Sequence, residues 1–294
     1  MDESIENATR YCGRPFTRRE IDWINHLIET DPTVTRQSLS RKFCRKVDWR
    51  KPDGGLKDMS CRVAFLKMDK DGLIRLPAPK RAYSKPGSRK KRTADCDPRE
   101  NIVTPAGGLN LRLELVKKGR SAIWNEFIDR YHYLGYSALP GAQLRYFVKS
   151  DDRIIALLGF GAAAWKTAPR DEYIGWTATQ RKKGLHRIVN NARFLILPWV
   201  RSKNLASRIL SMAARRISDD WQARYHYRPY LLETFVEKQR FSGTCYKAAN
   251  WTRVGDTKGR GKLDVKNEYK LPVKSVFLYP LCQNFREKLC EATA

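Results

Sequence analysis

Phe194-Leu195-Ile196-Leu197-Pro198-Trp199-Val200, followed by Arg201-Ser202-Lys203-Asn204-Leu205-Ala206, decides the fold. The first seven residues are a near-continuous apolar run, the pattern of a strand covered on both faces. The turn after them is polar and cationic. Beyond it Leu205, Ile209, Met212, Ala213 and Ile217 recur on one stripe with Arg208, Arg215 and Arg216 elsewhere, so the spacing predicts a helix. A second apolar run, Tyr230 to Val236, carries one carboxylate, Glu233, in its middle. A short helix and turn, Tyr246 to Trp251, and a basic glycine-rich loop, Thr257 to Gly261, complete the block. Strand, cationic turn and helix bring backbone N–H groups and the positive end of a helix dipole to a strand terminus. That geometry suits a phosphate or another anion at Arg201, Ser202, Lys203 and Asn204. The same spacing also describes an ordinary strand–helix unit whose turn is basic because the whole chain is basic.

The balance of 58 Lys+Arg against 31 Asp+Glu, a net charge of +27, implies a polyanion partner. Nucleic acid, and DNA in particular, is the expected one. An anionic membrane surface fits less well, because no long basic amphipathic helix is visible. No apolar run reaches membrane-spanning length, and the start, Met1-Asp-Glu-Ser, lacks the secretory pattern, so a cytoplasmic protein with no membrane partner is expected. Seven cysteines without a C-x-x-C pair argue for a reducing compartment, against a disulfide frame and against a structural zinc. The 294 residues, 41% of them hydrophobic, suffice for one large domain or two modest ones.

Residues 1–16 read as a polar lead. Thr17 stands three residues before Glu20, a capping-box spacing, and Ile21, Ile24, Leu27 and Ile28 then form one stripe. Thr35 would cap a second helix with Leu39, Phe43 and Val47 on one face. After the Asp53-Gly54-Gly55 turn, Leu56, Met59, Val63 and Leu66 predict the packed stripe of a third, and Leu73 to Pro77 a short strand. Three helices and a strand over residues 17–77 read as a winged-helix or helix-turn-helix module. Arg36, Arg41 and Lys42 on the second helix and Lys57, Arg62 and Lys67 on the third would contact DNA phosphates and base edges. A small bundle using a basic face for protein contact is the other reading.

Residues 78–105 read as a basic linker. Lys80 to Arg92 holds seven basic residues and no acidic one, and Lys90, Lys91 and Arg92 would lie along a phosphate backbone. From residue 106 to 294 a mixed α/β (α+β) domain is expected. Asn110 to Val116 alternates as a strand, and Trp124, Phe127, Ile128, Tyr131 and Leu134 repeat as a helix ending at Gly135. Gln143 to Lys149 and Arg153 to Gly161 read as a hairpin, and Ser275 to Leu281 as a last strand before a helix from Phe285 to Cys290. Lys166 to Leu185 looks irregular, with Trp176, Arg181, Lys182 and Lys183 forming an exposed surface for a nucleic-acid strand.

Two resemblances sharpen this. The order of elements resembles the GNAT-type acyltransferase fold, whose fourth strand leads into a pyrophosphate loop of pattern [Q/R]-x-x-G-x-[G/A]. Arg201 to Ala206 matches its first and last positions and puts Asn204 where Gly is usual. Tyr246-Lys247-Ala248-Ala249-Asn250-Trp251 is similar to that family's Tyr-x-x-x-Gly-Phe, again with Asn for Gly. Both exchanges suit a left-handed backbone. The implied fold is a GNAT-like mixed sheet with flanking helices, and the implied cofactor an acyl-CoA-like donor. Secondly, Tyr131-His132-Tyr133-Leu134-Gly135, Asn204-Leu205-Ala206-Ser207, Leu232-Glu233-Thr234-Phe235-Val236 and Gly243-Thr244-Cys245-Tyr246-Lys247-Ala248-Ala249-Asn250-Trp251 resemble the DruA proteins. That family belongs to the Druantia anti-phage system and has relatives in transposable elements. The resemblance implies a place in antiviral defence or a mobile element, with a helicase or transposase as partner protein.

Chemistry would gather where the two central parallel strands of a GNAT-like sheet splay apart. A carboxylate in a buried strand is costly unless paired or working, so Glu233 is the candidate general base or metal ligand. Tyr246 resembles the position of the acetyltransferases' general acid, and His132 would shuttle a proton. His132, Glu233 and Tyr246 together would also suit one divalent metal. The structural alternative locks Glu233 in a salt bridge with Arg193 or Lys247 and has His132 bonded to backbone. Asn250, Thr257 and Arg260 would position a phosphate or a flipped base. Three functions remain open: a GNAT-like transferase modifying a DNA base, a non-catalytic DNA-binding scaffold, and strand cleavage drawing on Asp151, Asp171, Glu172 and Glu233.

Overall fold

The computed structural model describes residues 8–79, 92–260 and 271–291. The chain divides into two compact units, Met1–Arg89 and Lys90–Ala294.

The first unit opens with a hairpin of β1 (Thr9–Tyr11) and β2 (Arg14–Phe16), which turns through Cys12 and Gly13 at positive φ. Residues 9–16 of the supposed polar lead therefore join the core, through Tyr11 and Phe16. Phe16 is fully buried and stacks on Phe43 with ring centroids 5.4 Å apart. Strands of three residues are too short to show a period, which is why the sequence hid them. Helix α1 (Arg18–Thr30) begins at the expected capping box, with Glu20 N donating to Thr17 Oγ1 and Thr17 N to the Glu20 carboxylate. Helix α2 (Arg36–Lys46) starts likewise at Thr35, with Ser38 as the reciprocal partner.

Helix α3 (Asp58–Lys70) corrects the sequence reading. Its buried face is Cys61, Ala64, Phe65 and Met68. Of the predicted packed stripe, Leu56 is half-buried against the core, but Met59, Val63 and Leu66 stand 60%, 44% and 48% exposed. The helix is apolar on two sides, and the edge contact of Phe65 with Phe43 at 5.5 Å selects the side that packs. Leu73 to Pro77 is irregular, pinned by Leu76 N donating to Asp69 Oδ1 at 2.8 Å. Three helices stand as expected, and residues 71–79 after α3 hold no strand.

In the second unit, residues 92–109 pack onto the domain where a linker was expected up to residue 105. Cys96 is buried, Thr93 N and Oγ1 both donate to the Glu126 carboxylate, and Ile102 bridges to Val200. Residues 80–91, with Lys90 and Lys91, lie outside the described residues. There follow β3 (Leu111–Leu115), α4 (Ser121–Tyr131), β4 (Leu144–Ser150), β5 (Arg153–Ala162), α5 (Ala168–Ile174) and α6 (Ala178–Gly184). Next come β6 (Ile188–Ile196), α7 (Leu205–Tyr225), β7 (Leu231–Glu237), α8 (Thr244–Ala248), β8 (Thr252–Asp256), β9 (Lys274–Pro280) and α9 (Phe285–Cys290). The stretch read as irregular thus holds two short helices, and β8 was not foreseen.

The seven strands form one mixed sheet in the order β3-β4-β5-β6-β7-β9-β8. Strands β6 and β7 are parallel and pair over three registers, Ile188 with Leu231 to Asn190 with Glu233, then separate. This is the GNAT-like arrangement, a splayed parallel pair inside an otherwise antiparallel sheet. Alternation along β7 assigns its faces. Leu232 and Val236 join the core built with α4 and α7, whereas Leu231 and Phe235 join the core built with α5 and α9. That division decides what Glu233 touches.

Candidate functional site at the splayed end of the parallel strands

Glu233 shares the α5 face of the sheet with Leu231 and Phe235. Its Oε2 accepts from Arg170 Nη1 at 2.8 Å and its Oε1 from Ala164 N at 2.8 Å, and neither Glu233 nor Arg170 exposes any surface. Arg170 Nη1 also donates to Ala164 O, and its Nε and Nη2 donate to Asp171 Oδ1 at 2.9 and 2.7 Å. Burial pushes the Glu233 carboxyl pKa up, while the Arg170 guanidinium and the Ala164 N–H oppose that rise. The carboxylate was expected to face an open gap. It is instead one end of a closed charge network, and its partner is Arg170 rather than Arg193 or Lys247. Trp176, expected on the surface, is buried and donates its Nε1–H to Asp171. Trp165 is the exposed indole, with Arg181 5.8 Å above its ring.

Tyr246 lies on the opposite face. Its hydroxyl donates to Asn191 Oδ1 at 2.8 Å, and Thr234 Oγ1 donates to Asn191 O at 3.0 Å. These bonds tie β6 to α8 and β7 where the two strands have parted. Packed against Trp251 and Phe277, the phenol has its pKa raised by burial, so it stays protonated. His132 follows α4 on this same face, and its Nδ1 accepts from Leu134 N at 3.2 Å. Burial, and next the Arg193 cation, depress its pKa to about 4, so the ring is neutral near pH 7. Glu233 and Tyr246 are thus on different sides of one sheet. The expected triad does not assemble, nor does a His132, Glu233, Tyr246 metal set. Among the described residues no cluster of three His, Cys, Asp or Glu side chains suits a metal.

What does gather at the splayed end is aromatic and cationic. His132 stacks on Tyr133 with centroids 4.9 Å apart, and Tyr133 meets the Phe241 ring edge-on at 5.4 Å. Arg240 lies 5.1 Å from the Tyr133 centroid, its Nε 3.2 Å from Glu237 Oε1. Arg193 on β6 donates from Nη2 to Ser137 Oγ at 2.8 Å and from Nη1 to Ala192 O at 2.7 Å. Its buried Nε has no hydrogen-bond partner. Tyr133 and Phe241 remain 39% and 51% exposed. Phe241 was missed in the sequence, where a lone aromatic in a polar turn gives no periodic signal.

At the cationic turn Asn204 adopts φ 63° and Asn250 φ 62°, the left-handed conformation their glycine-like positions demand. Arg201 and Lys203 are exposed, and Ser202 Oγ is buried without a protein partner. Arg201 N, however, donates to Ile102 O, so the returning segment already uses one amide of the turn. Thr257 pairs with Lys274 through backbone and side chain, and Arg260 is exposed. The gap beyond the turn does not fit an acyl donor, because Tyr246, Asn191 and Thr234 bridge it with buried hydrogen bonds.

The remaining DNA-contact candidates differ in how free they are. Arg36 donates to Pro77 O, Lys42 pairs with Asp31, Arg62 with Asp58 and Arg181 with Asp171. Arg41 is exposed but its Nε lies 4.0 Å from Asp58 Oδ2, Lys57 is half-buried, and Lys67, Arg92, Lys182 and Lys183 are exposed. No helix among the described residues is long and apolar enough to cross a membrane.

The family described as Druantia protein DruA matches residues 67–268. No protein of curated function matches the sequence. Among solved structures, a Drosophila melanogaster polyamine N-acetyltransferase is 11% identical, with 58% of this chain and 100% of that one covered at a TM-score of 0.38. Aminoglycoside acetyltransferase AAC(6')-Ib with coenzyme A is 11% identical over 61% and 98% at 0.40. The Escherichia coli ribosomal-protein-S18-alanine N-acetyltransferase is 7% identical over 58% and 94% at 0.36. Likenesses of that size carry no chemistry across.

Proposed function

The chain belongs to the Druantia DruA family, and we propose from that premise that it is the DNA-binding component of an anti-phage system or mobile element. It acts by holding DNA and presenting it to a helicase or transposase, not by chemistry at Glu233. The observation that carries this reading is the Arg170–Glu233 ion pair, sealed on the face away from Tyr246. A general base needs its proton-accepting oxygens within reach of substrate, and both Glu233 oxygens are engaged inside the core. The net charge of +27 remains, with Arg41, Lys67, Lys182, Lys183, Arg201 and Lys203 exposed for phosphates. A carboxylate-driven transferase or nuclease at Glu233 would instead require the Arg170 pair to open.

The test is to incubate plasmid DNA with the chain and cell extract, with and without Mg²⁺ or Mn²⁺, then digest to nucleosides. Retarded but unnicked DNA with unchanged nucleoside masses is the expected result. A new nucleoside mass or a nick that disappears in Glu233→Gln would overturn it.

A further inference from the structure

At the splayed end of β6 and β7 we infer a binding site for an unpaired nucleotide base, which stacks on Phe241 against Tyr133 while Arg240 takes the adjoining phosphate. This rests on the DNA-binding reading and specifies which form of the strand the second unit prefers.

Apolar rings at a surface are normally turned inward. Tyr133 and Phe241 stand 39% and 51% exposed and touch each other from separate segments, one after α4 and one after β7. A pair assembled from two distant stretches, in a chain this charged, leaves the Phe241 ring half-exposed beside a Tyr133 that His132 and Arg240 already hold in place. Nucleobases stack on such rings regardless of sequence, because every base has a π face. The third ring supports the patch. His132 lies against Tyr133 at 4.9 Å with planes 25° apart, and burial, then the Arg193 cation, disfavour the imidazolium. The stack is therefore uncharged at neutral pH and places no extra cation under the base.

Phosphate contacts come from the rim. The Arg240 guanidinium is exposed, and its tether to Glu237 at 3.2 Å keeps it over the Tyr133 ring. An arginine held by one carboxylate oxygen retains donors for a second anion. Arg193 adds a second cation close to His132 and Tyr133, and its buried Nε has no hydrogen-bond partner. A base locked in a duplex cannot lie on this patch, so the ligand class is single-stranded or locally opened DNA.

The experiment compares an oligothymidine of about 12 nucleotides, within the span of such sites, with a hairpin duplex of equal charge by fluorescence anisotropy. The full-length chain is used as wild type, Phe241→Ala, Tyr133→Ala and Phe241→Trp. The alanine variants should each lose about tenfold in single-strand affinity and less than about twofold on the duplex, with Phe241→Trp near wild type. A 2-aminopurine within the oligonucleotide should be quenched on binding to wild type and less so to Phe241→Ala. Equal losses on both substrates, or none on either, would overturn the base site while leaving the DNA-binding reading intact. Wild type binding neither substrate would instead remove both.

Discussion

Arg170 Nη1 lies 2.8 Å from Glu233 Oε2, and neither side chain exposes any surface. The two are 63 residues apart in the chain, and the bond crosses from α5 to the middle of β7. A buried guanidinium donating simultaneously to Glu233, Asp171 and Ala164 O fixes α5 to the sheet and leaves the carboxylate no oxygen for a substrate.

Removing one end of this pair strands the other. Arg170→Met should cost roughly 3–5 kcal/mol, because Glu233 is left buried without its counter-charge and must be neutralised by a proton. Glu233→Gln keeps one oxygen for either Ala164 N or Arg170 Nη1 and leaves the other donor unmet, but Arg170 retains Asp171, so it should cost less, about 1–3 kcal/mol. Urea denaturation of the two variants checks the order. A Glu233→Gln chain less stable than Arg170→Met would contradict it.

The Tyr246 hydroxyl is a strut, so its loss should read as stability. Tyr246→Phe leaves Asn191 Oδ1 buried without its donor and should lower unfolding free energy by about 1–3 kcal/mol. DNA affinity should be unchanged. Unaltered thermal stability with lost antiviral activity would point back to chemistry.

Acid should act through Asp256, which Lys238, Ser275 and Arg253 hold down to a pKa of about 2. The folded value lies below the unfolded one. Its stabilising contribution is present above roughly pH 4 and is lost as pH falls towards 2. In Asp256→Asn, the pH dependence of unfolding between those limits should be shallower than in wild type. An identical slope would sink this assignment.

The two apolar faces of α3 should respond oppositely. Phe65→Ala opens the first unit's core and should cost roughly 3–5 kcal/mol. Leu66→Ser, one residue on but 48% exposed, should stay within about 0.5 kcal/mol of wild type. Comparable losses would return Leu66 to the core.

These outcomes follow the line between what the sequence carried and what it could not. The caps at Thr17 and Thr35 were legible because a cap is a local contact three residues long. So were the left-handed turns at Asn204 and Asn250, where a short polar residue replaced glycine at a recognisable position. Strands β3, β4, β5, β7 and β9 followed from apolar runs bounded by turns, whereas the run Phe194 to Val200 holds only the end of β6, the rest of it turning towards α7, and β8 left no signal. The choice of face on α3 was not legible, since both faces are apolar and only packing on Phe43 selects one. Arg170 was not legible as the partner of Glu233, because pairing across 63 residues leaves no mark on spacing. The exchange of Trp165 for Trp176 as the surface indole has the same cause, as Asp171 draws Trp176 inward.

The most direct test is the affinity of the purified chain for DNA as salt rises from 50 to 200 mM, for wild type and Glu233→Gln. Each neutralised phosphate contributes about −0.9 to the slope of log affinity against log salt. The account predicts a steep line reporting several phosphates, with the same slope for the variant. A flat response, or a slope that collapses when Glu233 is changed, would contradict it.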